Sequence, residues 1–207
     1  MLHTKDQIPS FCSKQEYGGL KNMTANNIKN LAHLSTAFDA SFEKKECLTV
    51  DGRTLNFREF SDTVTNYSKK FKTLGLQKGD KIGILLFNSI EYLTLMYAAM
   101  YAGFVPVNIN ARYKAKELNY VLHDSGCKVL FTSSDSDEIT NFTDLISSVY
   151  NSPEGQPKSL NEVYIIGGAK DGRFRDFKDF EDINIDMKIF EDPIGEGDDP
   201  AFIMYTS

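Results

Sequence analysis

From Lys81 onward the chain repeats one pattern: an apolar run of strand length, an amphipathic stretch of helix length, then another apolar run. "KIGILLF" is followed by "NSIEYLTLMYAAMYAG", "FVPVN" by "KAKELNYVLHDSG", "KVLFTS" by "SDEITNFTDLISSVY", and "VYIIG" closes the series. Strands without polar alternation must be covered on both sides, and the intervening amphipathic helices are the natural cover. The expected fold is therefore α/β, a parallel sheet with helices on both faces. Such sheets bind ligands outside the carboxyl ends of their strands.

Within this series Asn88 is the expected cap of the first helix, with Glu91 reaching back to it and Gly103 as its stop. The second helix is expected to bury Leu118, Val121 and Leu122, and the third Ile139, Phe142, Ile146 and Val149. Upstream, Ile28, Leu31, Phe38 and Phe42 fall close to one helical face and predict a helix. "CLTVDGRTLNF" predicts a hairpin turning at Asp51-Gly52, a pair suited to left-handed turn geometry. "REFSDTVTNYSKKFKTLG" predicts a helix burying Phe60, Val64, Tyr67, Phe71 and Leu74 and stopping at Gly75. Phe174, Phe177, Phe180 and Ile183 recur at every third position and read as a packing stripe, either a helical turn or two or an irregular aromatic edge. Finally, "DDPAFIMYTS" predicts a short buried strand from Ala201 to Tyr205 that delivers the hydroxyls of Thr206 and Ser207.

Composition narrows the function classes. At 207 residues with 41% hydrophobic residues the chain can bury a real core. A net charge of -6 and a pI near 5.1 give no basic footprint for nucleic acid or an anionic membrane. Cys12, Cys47 and Cys127 are too scattered for a disulfide framework or a zinc site, which fits free thiols in a reducing, cytoplasmic setting. The opening "MLHTKDQIPSF" lacks the apolar centre of a secretory signal. Gly103 and Pro106 interrupt the most apolar region, Leu93 to Val107, so no transmembrane segment is expected.

Several short stretches could suggest chemistry and read more simply as structure. "GLQKGDK" precedes a strand instead of opening a helix, and "IGGAKDG" lacks dinucleotide glycine spacing, so both read as turns. Glu196, Asp198 and Asp199 read as a solvated loop, and His3, His33 and His123 are dispersed. "NINARY", Asn108 to Tyr113, lies at the carboxyl end of a strand, where a substrate-facing role is open. The plainer reading gives Asn108 and Asn110 to loop backbone groups and pairs Arg112 with an acid such as Glu117.

Taken together, "TLNFREF", "LGLQKGDKIGILLFNSIEYL", "MYAGFVPVNINARYKAKELNYVLHDSGCKVLFT" and "DDPAFIMYTS" resemble, in this order, the core motifs of the adenylate-forming superfamily of acyl-CoA synthetases, luciferases and peptide-synthetase adenylation domains. The resemblance runs from about Leu31 to Ser207. "VPVNINARY" is closer to fatty and other carboxylic acyl-CoA ligases than to peptide-synthetase domains.

The resemblance implies two steps. A carboxylate attacks the α-phosphate of ATP, with Mg²⁺ and a lysine offsetting charge, and the CoA thiol then displaces AMP from the acyl-adenylate. Tyr205, Thr206 and Ser207 match the start of the loop of hydroxyls and glycines that cradles the ATP phosphates, which makes them the expected nucleotide-binding residues. On this reading residues 1–27 are a lead-in segment. Residues 28–207 are an incomplete AMP-binding domain ending inside the phosphate loop, its C-terminal part missing and its isolated activity lost. The chemistry shared with peptide-synthetase-like and luciferase-like enzymes leaves the acceptor open. A stand-alone, non-catalytic nucleotide-binding or interaction module is the remaining alternative.

Overall fold

The computed structural model describes residues 28, 30–135, 140–185 and 196–206. The first strands, β1 (Glu46–Val50) and β2 (Arg53–Asn56), pair antiparallel as the expected hairpin. Both turn residues have positive φ, 49° at Asp51 and 77° at Gly52, the conformation that an Asp-Gly pair tolerates. Helix α1 (Phe57–Thr73) starts directly after β2. The Asn56 side chain accepts from Glu59 N, and the Glu59 carboxylate accepts from Asn56 N, closing both ends of a capping box.

Then the expected alternation begins: β3 (Lys81–Leu85), α2 (Ile90–Tyr101), β4 (Val105–Asn108), α3 (Ala115–Ser125), β5 (Val129–Ser133), α4 (Phe142–Tyr150) and β6 (Glu162–Ile166). Short elements follow: β7 (Arg175–Asp176), α5 (Phe177–Glu181) and β8 (Ile203–Met204). The six strands from β3 onward form one sheet in the order β7-β6-β5-β3-β4-β8, and every pairing in it is parallel.

Two cores form, one on each face, because successive strand residues point to opposite sides. Ile82, Ile84, Val129, Phe131 and Tyr164 face α1, α2 and α5. Leu85, Val107, Leu130, Val163 and Ile165 face α3 and α4. In the first core the Phe71 ring lies 6.3 Å from Phe104, 5.5 Å from Phe131 and 5.1 Å from Phe180. Of the stripe, Phe174 precedes the edge strand β7 and packs in the second core, whereas Phe177 and Phe180 pack in the first as the single helical turn α5. Tyr67 and Lys70 of α1 hold that turn by donating to the Glu181 carboxylate and backbone carbonyl.

Four expectations are corrected. The helix expected over Ile28 to Phe42 is two 3-10 turns, Leu31–Ser35 and Ala40–Phe42. Ser35 and Thr36 donate to the carbonyls of Ala32 and His33, and Asp39 accepts from Ser41 N. These local bonds compete with a continuous helix. Ser89, not Asn88, caps α2, accepting from Tyr92 N, while Glu91 pairs with Arg53 of the hairpin at 2.8 Å. The last strand is shorter than Ala201 to Tyr205 and lies on the sheet edge, so Phe202 and Met204 are exposed instead of buried. Ile139 lies outside the described residues.

Among the described residues no helix is long and apolar enough to cross a membrane. Cys47 and Cys127 are free thiols, and Cys12 lies outside the described residues.

Candidate functional site

The helix after β3 packs on one face of the sheet and the helix after β5 on the other. Neighbouring strands whose connections leave in opposite directions open a crevice at their carboxyl ends, and this is where open α/β sheets place ligands. A cleft of about 430 Å³ lies there, lined among others by Leu86, Asn88, Ser89, Glu91, Ser133 and Asp135, with Asp51 from the hairpin turn.

The same end of the sheet holds buried polar atoms without partners. Asn108 closes β4, and Thr132 and Ser133 close β5; Asn108 Oδ1, Thr132 Oγ1 and Ser133 Oγ are all buried without a hydrogen bond. Each such group costs about 1–3 kcal/mol of folding free energy. A fold that tolerates three of them at one end of its sheet is placing acceptors and donors there for something other than stability.

A second, larger cavity of about 600 Å³ lies at the opposite end, among Lys78, Gly79, Gly103, Phe104 and Pro200. Volume favours it, but the unpartnered atoms of Asn108, Thr132 and Ser133 lie at the carboxyl ends, so we take that end as the site.

β8 enters the site from the edge. Its register, Val107 with Ile203 and Asn108 with Met204, brings the chain out at the carboxyl end beside Asn108. Tyr205 is then fixed twice: its carbonyl accepts from Tyr113 Oη at 3.1 Å, and its own hydroxyl donates to Asp124 Oδ2 at 2.7 Å. Its ring meets Tyr120 edge-on at 6.3 Å. Burial and then the Asp124 carboxylate push the Tyr205 hydroxyl pKa upward, so it stays a donor. Thr206 follows, exposed, and Ser207 lies outside the described residues.

In "NINARY" the two asparagines part ways. Asn110 serves the loop, accepting from Arg112 N at 2.9 Å, as the plainer reading expects. Asn108 does not serve the loop: it is only 6% exposed, and its Nδ2 faces the Met96 sulfur at 3.4 Å. The Glu117 carboxylate accepts from Lys114 N at the start of α3, and the Arg112 guanidinium lies over the Phe87 ring at 5.6 Å.

Lys78 pairs with Asp199 at 2.9 Å in the acidic loop. Among the described residues no group of His, Cys, Asp and Glu side chains could hold a metal ion, and no Mg²⁺ site is assigned to this chain. "GLQKGDK" and "IGGAKDG" are turns, with positive φ at Gly75, Gly79, Gly167 and Gly168. Periodicity does not single out Thr132 and Ser133, although the sequence carries a signal for them: "VLFTS" ends in Thr-Ser as "AFIMYTS" does.

The chain matches the AMP-binding enzyme family over residues 36–207. It is 36% identical over 100 residues to a 2-succinylbenzoate–CoA ligase of Oceanobacillus iheyensis, a match covering 48% of this chain and 21% of that protein. It is 32% identical over 136 residues to a long-chain-fatty-acid–CoA ligase of Mycobacterium tuberculosis, covering 65% of this chain and 23% of that protein. Among solved structures, an anthranilate CoA ligase in complex with anthranoyl-AMP superposes with a TM-score of 0.70 at 23% identity, over 82% of this chain and 30% of that one. A fatty acyl CoA synthetase of Mycobacterium tuberculosis gives 0.59 at 26% identity, over 75% and 28%. The chain therefore spans less than a third of the length of each of these proteins.

Proposed function

This chain belongs to the AMP-binding enzyme family, whose relatives here are acyl- and aryl-CoA ligases, and from that premise we propose that the protein carrying it activates a carboxylic acid as its adenylate and passes the acyl group to coenzyme A. A carboxylate oxygen attacks the α-phosphate of ATP, pyrophosphate leaves, and the CoA thiol then displaces AMP from the acyl carbon. The acid is a fatty or other carboxylic acid. Supporting this are the "VPVNINARY" stretch and relatives named for succinylbenzoate and long-chain fatty acids.

The observation that carries this reading is the parallel pairing of β8 with β4, which brings Thr206 out at the end of the sheet where Asn108, Thr132 and Ser133 keep unpartnered polar atoms. On this reading Tyr205, Thr206 and Ser207 begin the nucleotide-binding loop within an AMP-binding domain that starts near residue 28. Tyr205, anchored on α3, sets the direction in which the chain leaves the sheet. Backbone N–H groups and hydroxyl chemistry in this loop supply donors to phosphate oxygens, which are strong, charged acceptors.

The test is exchange of radiolabelled pyrophosphate into ATP by the complete gene product, run with panels of fatty acids, aromatic acids and amino acids, followed by CoA-dependent release of AMP. Exchange driven by fatty or aromatic acids and completed by CoA is expected. Exchange only with amino acids, or with no acid at all, overturns the assignment.

A further inference from the structure

We propose that Asn108 is a positioning residue for the segment after β8, its side-chain carbonyl accepting the hydroxyl proton of Thr206 when the nucleotide is bound. The inference rests on the reading of that segment as a phosphate-binding loop and divides the labour of its two hydroxyls. Thr206 becomes the brace, which leaves Ser207 and the backbone N–H groups to meet the phosphates.

The starting point is an amide with one end unused. The Asn108 side chain is held on the α2 face of the sheet, where its Nδ2 meets only the Met96 sulfur, a weak acceptor, while Oδ1 has no partner. Turning the amide over would not help, since one polar end would remain unpaired. A leucine would fill such a place without that cost.

Register decides which donor can reach it. The partners of Asn108 are Ile84 on β3 and Met204 on β8, and neither side chain has a donor. The Tyr205 ring is committed to Asp124 and Tyr120 on the α3 face. Alternation then turns the next residue, Thr206, toward the α2 face that Asn108 occupies. A strand spacing of about 4.8 Å and a rise of about 3.3 Å per residue put the two Cα atoms about 8 Å apart, within reach of an asparagine and a threonine side chain together. Thr206 is exposed as the structure stands, and the proposed contact requires its side chain to rotate toward Asn108.

A double-mutant cycle on the complete gene product tests this, with acid-dependent pyrophosphate exchange as the readout. Thr206→Val and Asn108→Leu should each slow exchange about tenfold. The double variant should be no slower than the worse single one, because both changes break one bond. Asn108→Leu combined with Ser207→Ala should instead multiply to about a hundredfold. A multiplicative Asn108–Thr206 pair overturns the brace while the phosphate-loop reading stands. If Thr206→Val and Ser207→Ala both leave exchange unchanged, the phosphate-loop reading fails and the brace with it. Thermal unfolding checks each variant, and Asn108→Ala replaces the leucine variant in the same cycle if that one does not fold.

Discussion

Tyr205 and Asp124 are joined by a 2.7 Å hydrogen bond that ties the end of the edge strand to the last turn of α3. The pair links the sheet margin to a helix on the far side of β4, and it fixes the residue just before Thr206. Removing the hydroxyl with Tyr205→Phe keeps the ring on Tyr120 but frees the carboxylate. We expect a loss of about 1 kcal/mol in urea unfolding, the lower range for a bond to a charged group at an exposed site.

Replacing both Thr206 and Ser207 with alanine in the complete gene product should slow adenylation at least about tenfold, since a lost donor to a charged group costs about 1.5–3 kcal/mol. The Thr206 side chain is exposed and serine and threonine are small, so the melting temperature should stay close to that of the parent. Unchanged single-turnover adenylation by the folded double variant would contradict a phosphate-binding role.

Phe71→Ala should be among the most damaging core changes. The side chain is fully buried between α1 and the sheet and touches three other phenylalanine rings. Truncation of a buried phenylalanine costs about 3–5 kcal/mol, read as a lower urea midpoint with an unchanged slope.

The thiol of Cys127 should make stability fall at alkaline pH. Burial raises its pKa from 9.0 to about 11, with a smaller opposing effect from the Ser125 hydrogen bond. Above pH 9 the unfolded chain loses this proton while the folded chain keeps it, so stability declines until the pH passes the folded value. The contribution is roughly 2–3 kcal/mol and lies between about pH 9 and pH 11. Tyr67, Tyr164 and Tyr205 titrate higher in the folded state too, so the difference between the parent and Cys127→Ala isolates the thiol. Parallel stability–pH curves for the two proteins would rule the effect out.

The sheet and its covering helices were legible because each depends on periodicity that the local sequence carries by itself. Phe60, Val64, Tyr67 and Phe71 mark the buried side of α1, and Gly75 its stop, with no tertiary information. Leu31 to Phe42 misled because apolar spacing ignores the hydrogen bonds that Ser35, Thr36 and Asp39 offer the backbone nearby. The α2 cap slipped by one residue because Asn88 and Ser89 both have capping side chains, and Glu91 was claimed by Arg53, far away in sequence. At the site, Asn108 could be suspected from its place at a strand end. That its carbonyl lacks a partner depends on the register of β8 and the position of Met96, which no local pattern encodes.

The order of strands has a kinetic consequence. After β4 is made, the chain crosses to the other side of β3 and lays down β5, β6 and β7 before β8 returns to pair with β4. The Val107–Ile203 contact therefore closes one of the longest loops in the domain, and such contacts form after the local ones that shorten them. On a ribosome the outer margin of β4 stays open while β5, β6 and β7 are made, an unpaired edge of the kind that misassociates. The pairing of β8 with β4 is thus the last to form among the described strands, and a chain that stalls before it would carry β3 to β7 with the margin of β4 beside Asn108 still open.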